Sequence, residues 1–175
     1  MNVAIVKYNA GNIFSVDHAL RRLGVEAVIT ADKELLAKAD KVIFPGVGEA
    51  ATTMRHLKEH RLDEVIRSLK QPVLGIFDTD VKRFVPARHE DKVPHMGWNT
   101  LTDTCGPLFE GLAREEFVYF VHSFYVPLNE HTAARTDYIL PYSSALHKDN
   151  FHATQFHPEK SGKTGERILT NFLNL

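Results

Sequence analysis

The stretch Lys41-Val42-Ile43-Phe44-Pro45-Gly46-Val47-Gly48 decides the fold class of this chain. Its apolar run is rich in β-branched side chains, which is typical of a buried strand. The two glycines after Pro45 predict a turn, because glycine accepts backbone conformations that other residues avoid. A buried strand that ends in a glycine turn and leads into helical spacing is the repeating unit of an α/β sheet.

The same alternation extends to both sides of this stretch. Further strands are predicted at Val3 to Val6, Val25 to Ile29 and Pro72 to Ile76. Helices are predicted from Ile13 to Leu23, after an Asp32 cap, and from Glu49 to Lys70. The first half is therefore β-α-β-α-β-α-β, which favours a parallel sheet with helices on both faces.

The second half contains more strands. Strand-like segments lie at Phe77 to Val85, His95 to Leu101, Phe117 to Val126 and Phe151 to Phe156. A final helix is predicted after Ser161, a plausible N-cap. We expect one α/β domain over residues 1–175, with a mixed, mostly parallel central sheet.

Composition excludes several classes of protein. The chain has 175 residues, of which 43% are hydrophobic and 25% charged, so it is neither disordered nor fibrous. A formal net charge of −1 gives no support to a nucleic-acid partner. The single Cys105 excludes an internal disulfide and a cysteine metal cluster. The lack of a long apolar run predicts a cytoplasmic protein without a membrane partner.

The segment His157-Pro158-Glu159 carries the first candidate chemistry. Residues two apart on extended backbone point the same way, so the carboxylate can lie beside the imidazole. Such a carboxylate fixes the histidine tautomer and stabilises its protonated form, as in a nucleophile–base–orienter triad. The alternative is a surface loop with two polar side chains.

Three other segments have a functional and a structural interpretation. The glycine turn at Gly46 to Gly48 is half of an oxyanion hole or an ordinary strand-to-helix turn. The segment Pro94 to Asn99, with the only tryptophan, is a binding surface or part of the core. The third segment, His122 to Tyr125, lies in an aromatic strand, for which the structural interpretation is an ordinary strand of the core. Cys105 lies in a turn with no histidine beside it, which argues against a nucleophile.

Together these segments resemble a class I glutamine amidotransferase domain, and most closely the glutaminase subunits of imidazole glycerol phosphate synthases of histidine biosynthesis. The matching segments are Tyr8 to Asn12, Phe44 to Gly48, Phe77 to Phe84, Val93 to Asn99, Phe120 to Ser123 and Gln155 to Ser161. Within the family, Pro-His-Met-Gly-Trp-Asn is specific to this subunit, whereas Phe-His-Pro-Glu is shared by the class.

The resemblance implies roles for residues of this chain. His157 matches the catalytic base and Glu159 the residue that orients it. The oxyanion strand is matched by Gly46, Val47 and Gly48. The segment that holds the main-chain groups of glutamine is matched by Ser123 and Phe124, although the family more often has Tyr at the second position. A (β/α)8-barrel synthase subunit is implied as the partner in a heterodimer, in contact with His95, Met96, Trp98 and Asn99. The resemblance implies no cofactor and no metal ion.

One departure from the family pattern concerns the nucleophile. The family cysteine follows the fourth strand in a Gly-x-Cys-x-Gly elbow that begins a helix. Here Gly75-Ile76 is followed directly by Phe77, so the elbow, its helix and a loop are absent between Ile76 and Phe77. Losing that helix would expose one face of the sheet and destabilise the fold. Either the segment is missing from this 175-residue sequence, or it is truly deleted.

Three functions therefore stay open. The first is a glutaminase that feeds ammonia to a synthase. In that case we expect the chain as written to be inactive, because it lacks the nucleophile. The second is a catalytically dead subunit that only docks on the synthase. The third is the glutaminase of another amidotransferase, against which the Pro-His-Met-Gly-Trp-Asn run argues.

Overall fold

The computed structural model describes residues 1–8, 12–46, 50–75 and 79–175, with residues 50–53 described by their backbone alone. The chain divides into two compact units, Met1–Ile76 and Phe77–Leu175. The division falls at the junction where the sequence departs from the family pattern.

The first unit is a parallel α/β layer. Its elements are β1 (Val3–Val6), α1 (Ile13–Arg22), β2 (Ala27–Thr30), α2 (Lys33–Lys38), β3 (Lys41–Ile43), α3 (Ala50–Glu59), α4 (Leu62–Ser68) and β4 (Val73–Leu74). The strands lie in the order β2-β1-β3-β4 and pair in parallel. Because the chain reverses its direction across the sheet after β2, right-handed crossovers place α1 and α2 on opposite faces. The predicted α/β class and parallel strands are confirmed.

The helix predicted from Glu49 to Lys70 is wrong in one respect, because it is two helices. Arg61 adopts a left-handed conformation, with φ of 53°, between α3 and α4. That break lets Leu57 of α3 and Leu62 and Ile66 of α4 all reach the core. Hydrophobic spacing alone does not reveal such a break, since the apolar residues on both sides keep helical intervals.

The carboxyl ends of β1, β3 and β4 lie at one edge of the parallel sheet. The Tyr8 hydroxyl donates a hydrogen bond to the Pro45 carbonyl, and the Tyr8 and Phe44 rings stack at 4.5 Å. At Gly75, with φ of +117°, a Cβ atom would lie 1.9 Å from the Phe44 oxygen. Only glycine fits there. In open α/β sheets this edge is where ligands bind.

The second unit is built mainly from antiparallel strands. Its elements are β5 (Lys82–Arg83), β6 (His95–Leu101), β7 (Glu116–His122), β8 (Phe124–Tyr125), β9 (Thr132–Asp137), β10 (Pro141–Lys148), β11 (Phe151–Thr154) and α5 (Gly162–Leu173). Strand β6 pairs with β7, β5 with β8, and β10 with both β9 and β11. Short 3₁₀ turns cover Pro107–Phe109 and Pro158–Lys160.

Several strands of this unit differ from the prediction. Of the segment predicted as a strand from Phe77 to Val85, the described part, residues 79–85, contains only the two-residue β5. Strands β9 and β10 were not predicted, although β10 has five consecutive buried residues. No helix in the described part of the chain is long and apolar enough to cross a membrane.

Candidate functional site

His157 and Glu159 form the pair that the sequence predicts. His157 follows β11, and its Nδ1 lies 2.9 Å from Oε1 of Glu159. The Glu159 side chain is 4% exposed and that of His157 is 20% exposed, so the carboxylate is shielded while the imidazole reaches the surface. A carboxylate at Nδ1 holds the proton on that nitrogen and leaves Nε2 as the basic one. The pair can therefore accept and return a proton at Nε2.

The backbone of His157 is fixed by neighbouring strand β7 and by Ser161. The His157 N–H donates to the Tyr119 carbonyl at 2.9 Å. The Ser161 hydroxyl donates to the His157 carbonyl at 2.6 Å and accepts from the Tyr119 N–H at 3.0 Å. Ser161 precedes α5 as predicted, but its side chain is wrongly predicted as a cap, because the hydroxyl is used to hold the strand end that carries His157.

Gly165 keeps the turn that carries Glu159 close to α5. A Cβ atom at Gly165 would lie 1.9 Å from the Pro158 carbonyl oxygen. We expect Gly165→Ala to cost about 3 kcal/mol of unfolding free energy, because the backbone must shift to admit the methyl group. Thermal unfolding measures this cost. Lys163→Ala, an exposed change in the same helix, serves as the control. Equal melting temperatures for the two variants would contradict the close packing.

The residues predicted for the oxyanion strand are only partly described. Gly46 follows β3 and is exposed. Val47 and Gly48 lie outside the described residues, so their predicted role stays a prediction. Gly46 is at the carboxyl edge of the parallel sheet, where an anion-binding turn is expected.

Ser123 lies between β7 and β8, and Phe124 is the first residue of β8; together they form the turn from one strand to the next. The Ser123 carbonyl accepts a hydrogen bond from the Phe84 N–H at 3.0 Å. The Phe124 carbonyl accepts one from Nδ1 of His122 at 2.7 Å, and its side chain is 47% exposed. The turn is thus held by its backbone, while the Phe124 side chain faces outward.

Strands β6 and β7 form a two-stranded ribbon with one exposed apolar face, which we call the ribbon face. Met96 is 63% exposed, Trp98 56%, Phe117 57% and Val121 36%. In the ribbon register Met96 lies opposite Val121. Phe117 and Val121 were missed as surface residues, although the alternation along residues 117–121 could have found them, since alternate strand residues share a face.

Two residues predicted at the interface lie on the other face of the ribbon. His95 is 3% exposed, which corrects its predicted place in the contact surface. Successive residues of a strand point to opposite faces, so His95 points inward while Met96 and Trp98 point outward. Asn99 donates from Nδ2 to the Asp137 carbonyl at 3.0 Å.

Two histidines behind the ribbon face have strongly lowered pKa values. Burial, with a smaller effect of the charge on His122, lowers the pKa of His95 to about 4. Burial also lowers the pKa of His122 to about 4. The hydrogen bond to the Phe124 carbonyl acts in the opposite direction and raises this pKa, whereas the charge of His157 lowers it. Both rings are therefore neutral at pH 7, and His122 lies within electrostatic reach of His157.

Cys105 contacts the backbone of β9. Its Sγ lies 3.7 Å from the Thr132 carbonyl, and its N–H donates to the Ala133 carbonyl at 2.8 Å. Both partners belong to β9, whereas His157 is bonded to Tyr119 of β7. That Cys105 is not the nucleophile stays a prediction from the sequence.

Comparison with curated proteins finds relatives that align with this chain over its full length. A protein of Bacteroides thetaiotaomicron named imidazole glycerol phosphate synthase subunit HisH is 68% identical, with all of both chains covered. A protein of the same name from Idiomarina loihiensis is 42% identical, with 100% of this chain and 98% of that protein covered. The alignment with the first has 196 positions for 175 residues, so at least 21 positions have no residue in this chain.

Comparison with solved structures and family models agrees with the fold. The structure of a candidate GMP synthase component from Thermoplasma acidophilum superposes with a TM-score of 0.80 at 23% identity, covering 99% of this chain and 93% of that one. The family model glutamine amidotransferase class-I matches residues 4–175. The chain therefore belongs to the class-I glutamine amidotransferase family, in which its full-length relatives are the HisH subunits of imidazole glycerol phosphate synthase.

Proposed function

We propose that this protein is the glutaminase subunit of imidazole glycerol phosphate synthase, a cytoplasmic heterodimer of histidine biosynthesis. It hydrolyses glutamine to glutamate and passes the ammonia to a (β/α)8-barrel cyclase subunit. The observation that carries the proposal is the His157–Glu159 pair, with its 2.9 Å contact, in a chain 68% identical to a HisH subunit.

The pair supplies the proton transfers of amide cleavage. A cysteine thiolate attacks the carboxamide carbon, and the C–N bond breaks as His157 gives a proton to the departing nitrogen. His157 then takes a proton from the water that hydrolyses the thioester, and the thiolate is regenerated. Glu159 holds the Nδ1 proton throughout and balances the charge on the imidazolium.

The thiolate requires the elbow that this sequence lacks between Ile76 and Phe77. The alignment leaves at least 21 positions without a residue in this chain, a number large enough for an elbow and a helical segment. The N–H after the elbow cysteine would also supply an oxyanion donor, which is worth about 10²–10³ in rate. If the deletion is real, the same fold supports the alternative function of a docking subunit that delivers no ammonia.

The ribbon face supports docking of the barrel subunit. Two aromatic side chains and a methionine are exposed together on paired strands, which is the composition of protein interfaces and not of free surfaces. The edge of β7 contacts the catalytic pair directly, because the His157 N–H donates to the Tyr119 carbonyl. A partner on the ribbon face would thus lie over the element that frames the catalytic pair.

Trp98→Ala tests this docking surface. We expect the change to weaken association with the barrel subunit by about 2 kcal/mol or more, because an exposed aromatic anchor is lost. The melting temperature of the isolated subunit should stay nearly constant, since the ring is 56% exposed and its described ring contact is with Tyr119. Titration calorimetry and thermal unfolding measure the two quantities.

The matched control for Trp98→Ala is Leu35→Ala, which removes a 49% exposed side chain from α2 in the first unit. It should leave association unchanged. A large drop in melting temperature for Trp98→Ala would instead place the ring in the core, where its loss costs about 3–5 kcal/mol.

The proposed function is tested by supplying the synthase with two nitrogen sources. The elbow-containing chain is this protein with the family's cysteine elbow present between Ile76 and Phe77. When it is bound to the barrel subunit, glutamine should support formation of imidazole glycerol phosphate. The barrel subunit by itself should use only ammonium. If glutamine gives no product while ammonium does, the glutaminase function is wrong and the docking alternative stands.

A further inference from the structure

A cluster of hydrogen-bonded side chains lies behind the ribbon face. Nδ1 of His95 is 3.2 Å from Nε2 of His122. The Tyr142 hydroxyl is 3.2 Å from His122 Nε2 and 3.3 Å from His95 Nδ1. Nδ2 of Asn99 is 3.4 Å from His95 Nε2. The far end of the cluster is the Phe124 carbonyl, 2.7 Å from His122 Nδ1.

The partners fix the position of each proton in this cluster. A carbonyl only accepts, so His122 carries its proton on Nδ1, and its Nε2 is an acceptor. The Asn99 amide donates to His95 Nε2, which places the His95 proton on Nδ1. His95 Nδ1–H can then donate toward Tyr142, whose hydroxyl donates to His122 Nε2. Every contact is satisfied with both rings neutral, which agrees with the low pKa values of the two histidines.

Aromatic packing makes the cluster rigid. The His95 ring is stacked between Phe120 at 4.8 Å and Tyr138 at 3.9 Å, with interplanar angles of 18° and 12°. Tyr142 is fully buried. A ring held on both sides cannot rotate without breaking both stacks, so His95 holds His122 in one orientation.

We propose that His122 is a positioning residue for substrate: its Nδ1–H holds the Phe124 carbonyl, and His95 braces it from behind the ribbon face. This inference rests on the proposed function, in which the turn of Ser123 and Phe124 holds the main-chain groups of glutamine. The bond sets the path of that turn, because Phe84 fixes the Ser123 carbonyl on the other side. The bracing also connects this turn to the strand that carries Trp98.

Two substitutions of His122 separate its two nitrogens. An asparagine places its amide N–H where Nδ1–H lies, so His122→Asn keeps a donor for Phe124. A glutamine places its amide at the position of Nε2, so His122→Gln keeps the contact with Tyr142 and loses the bond to Phe124. We expect His122→Gln to raise the KM for glutamine about tenfold, and His122→Asn to change it less than about twofold. The ammonia-dependent rate should be the same in both.

The assays use the elbow-containing chain with its barrel partner, and a spectroscopic measurement uses the chain of 175 residues. Long-range proton–nitrogen NMR should show neutral His122 with its proton on Nδ1 at pH 7. A proton on Nε2, a charged ring at that pH, or equal KM values for the two variants would overturn the inference. The NMR result does not depend on glutaminase activity, so a failed glutamine assay with the expected tautomer refutes the proposed function and not the hydrogen bond.

Discussion

A chain of these 175 residues should release no ammonia from glutamine at any pH, even when the barrel subunit is bound. The proposed base and its orienting carboxylate are in place, but the elbow that would hold a thiol is absent from the sequence, and Cys105 belongs to a different segment. Losing the nucleophile removes the covalent pathway, and losing the elbow N–H removes an oxyanion donor worth about 10²–10³ more. A coupled assay for glutamate measures the residual rate.

Restoring the elbow should restore the activity. For this test, the elbow and the helix that the family has after its fourth strand are inserted between Ile76 and Phe77. The matched control carries the same insertion with its elbow cysteine changed to alanine, which keeps the added helix and removes the thiol. Only the first chain should hydrolyse glutamine. A thioester that forms in the original chain and disappears in Cys105→Ser would contradict this account.

The second large effect is expected from His157→Ala in the chain with a restored elbow. Glutamine-dependent synthesis should fall by about 10³-fold or more, because the imidazole proposed to transfer the proton is lost. Ammonia-dependent synthesis should survive, since in the proposed mechanism His157 serves amide cleavage and not the barrel chemistry. Glu159→Gln should be milder, at about 10²-fold, because the imidazole stays in place without its charge partner.

His18→Ala is the matched control for His157→Ala, because it removes an exposed imidazole from α1 in the first unit. It should leave both rates unchanged. Loss of both the glutamine-dependent and the ammonia-dependent rates in His157→Ala would point to a folding or docking defect, and the catalytic assignment would then be wrong.

The first half of the fold could be predicted because each element carries a local signal. The Asp32 cap is found as predicted, with its carboxylate accepting from the N–H groups of Glu34 and Leu35. His157 and Glu159 could be paired from sequence because residues two apart on extended backbone share a side. The exposed face of Met96 and Trp98 follows from the same alternation.

The features that sequence did not reveal depend on distant partners. Strand β9 consists of Ala, Thr, Arg and Asp residues, so its apolar signal is weak, and it is stabilised by pairing with β10. Ser161 looks like a helix cap, but its hydroxyl bridges Tyr119 and His157, which are brought together only in the folded chain. The burial of His95 likewise depends on Tyr138, which is far away in sequence.

The intact mass of the protein isolated from its source, measured by mass spectrometry, decides whether the elbow is present. The 175 residues have a mass of 19.8 kDa, so 21 further residues at the same mean mass add about 2.4 kDa. A glutaminase must contain the elbow, so the proposed function predicts a mass of about 22 kDa or more. A mass of 19.8 kDa would mean that the elbow is truly deleted, and would contradict the glutaminase function.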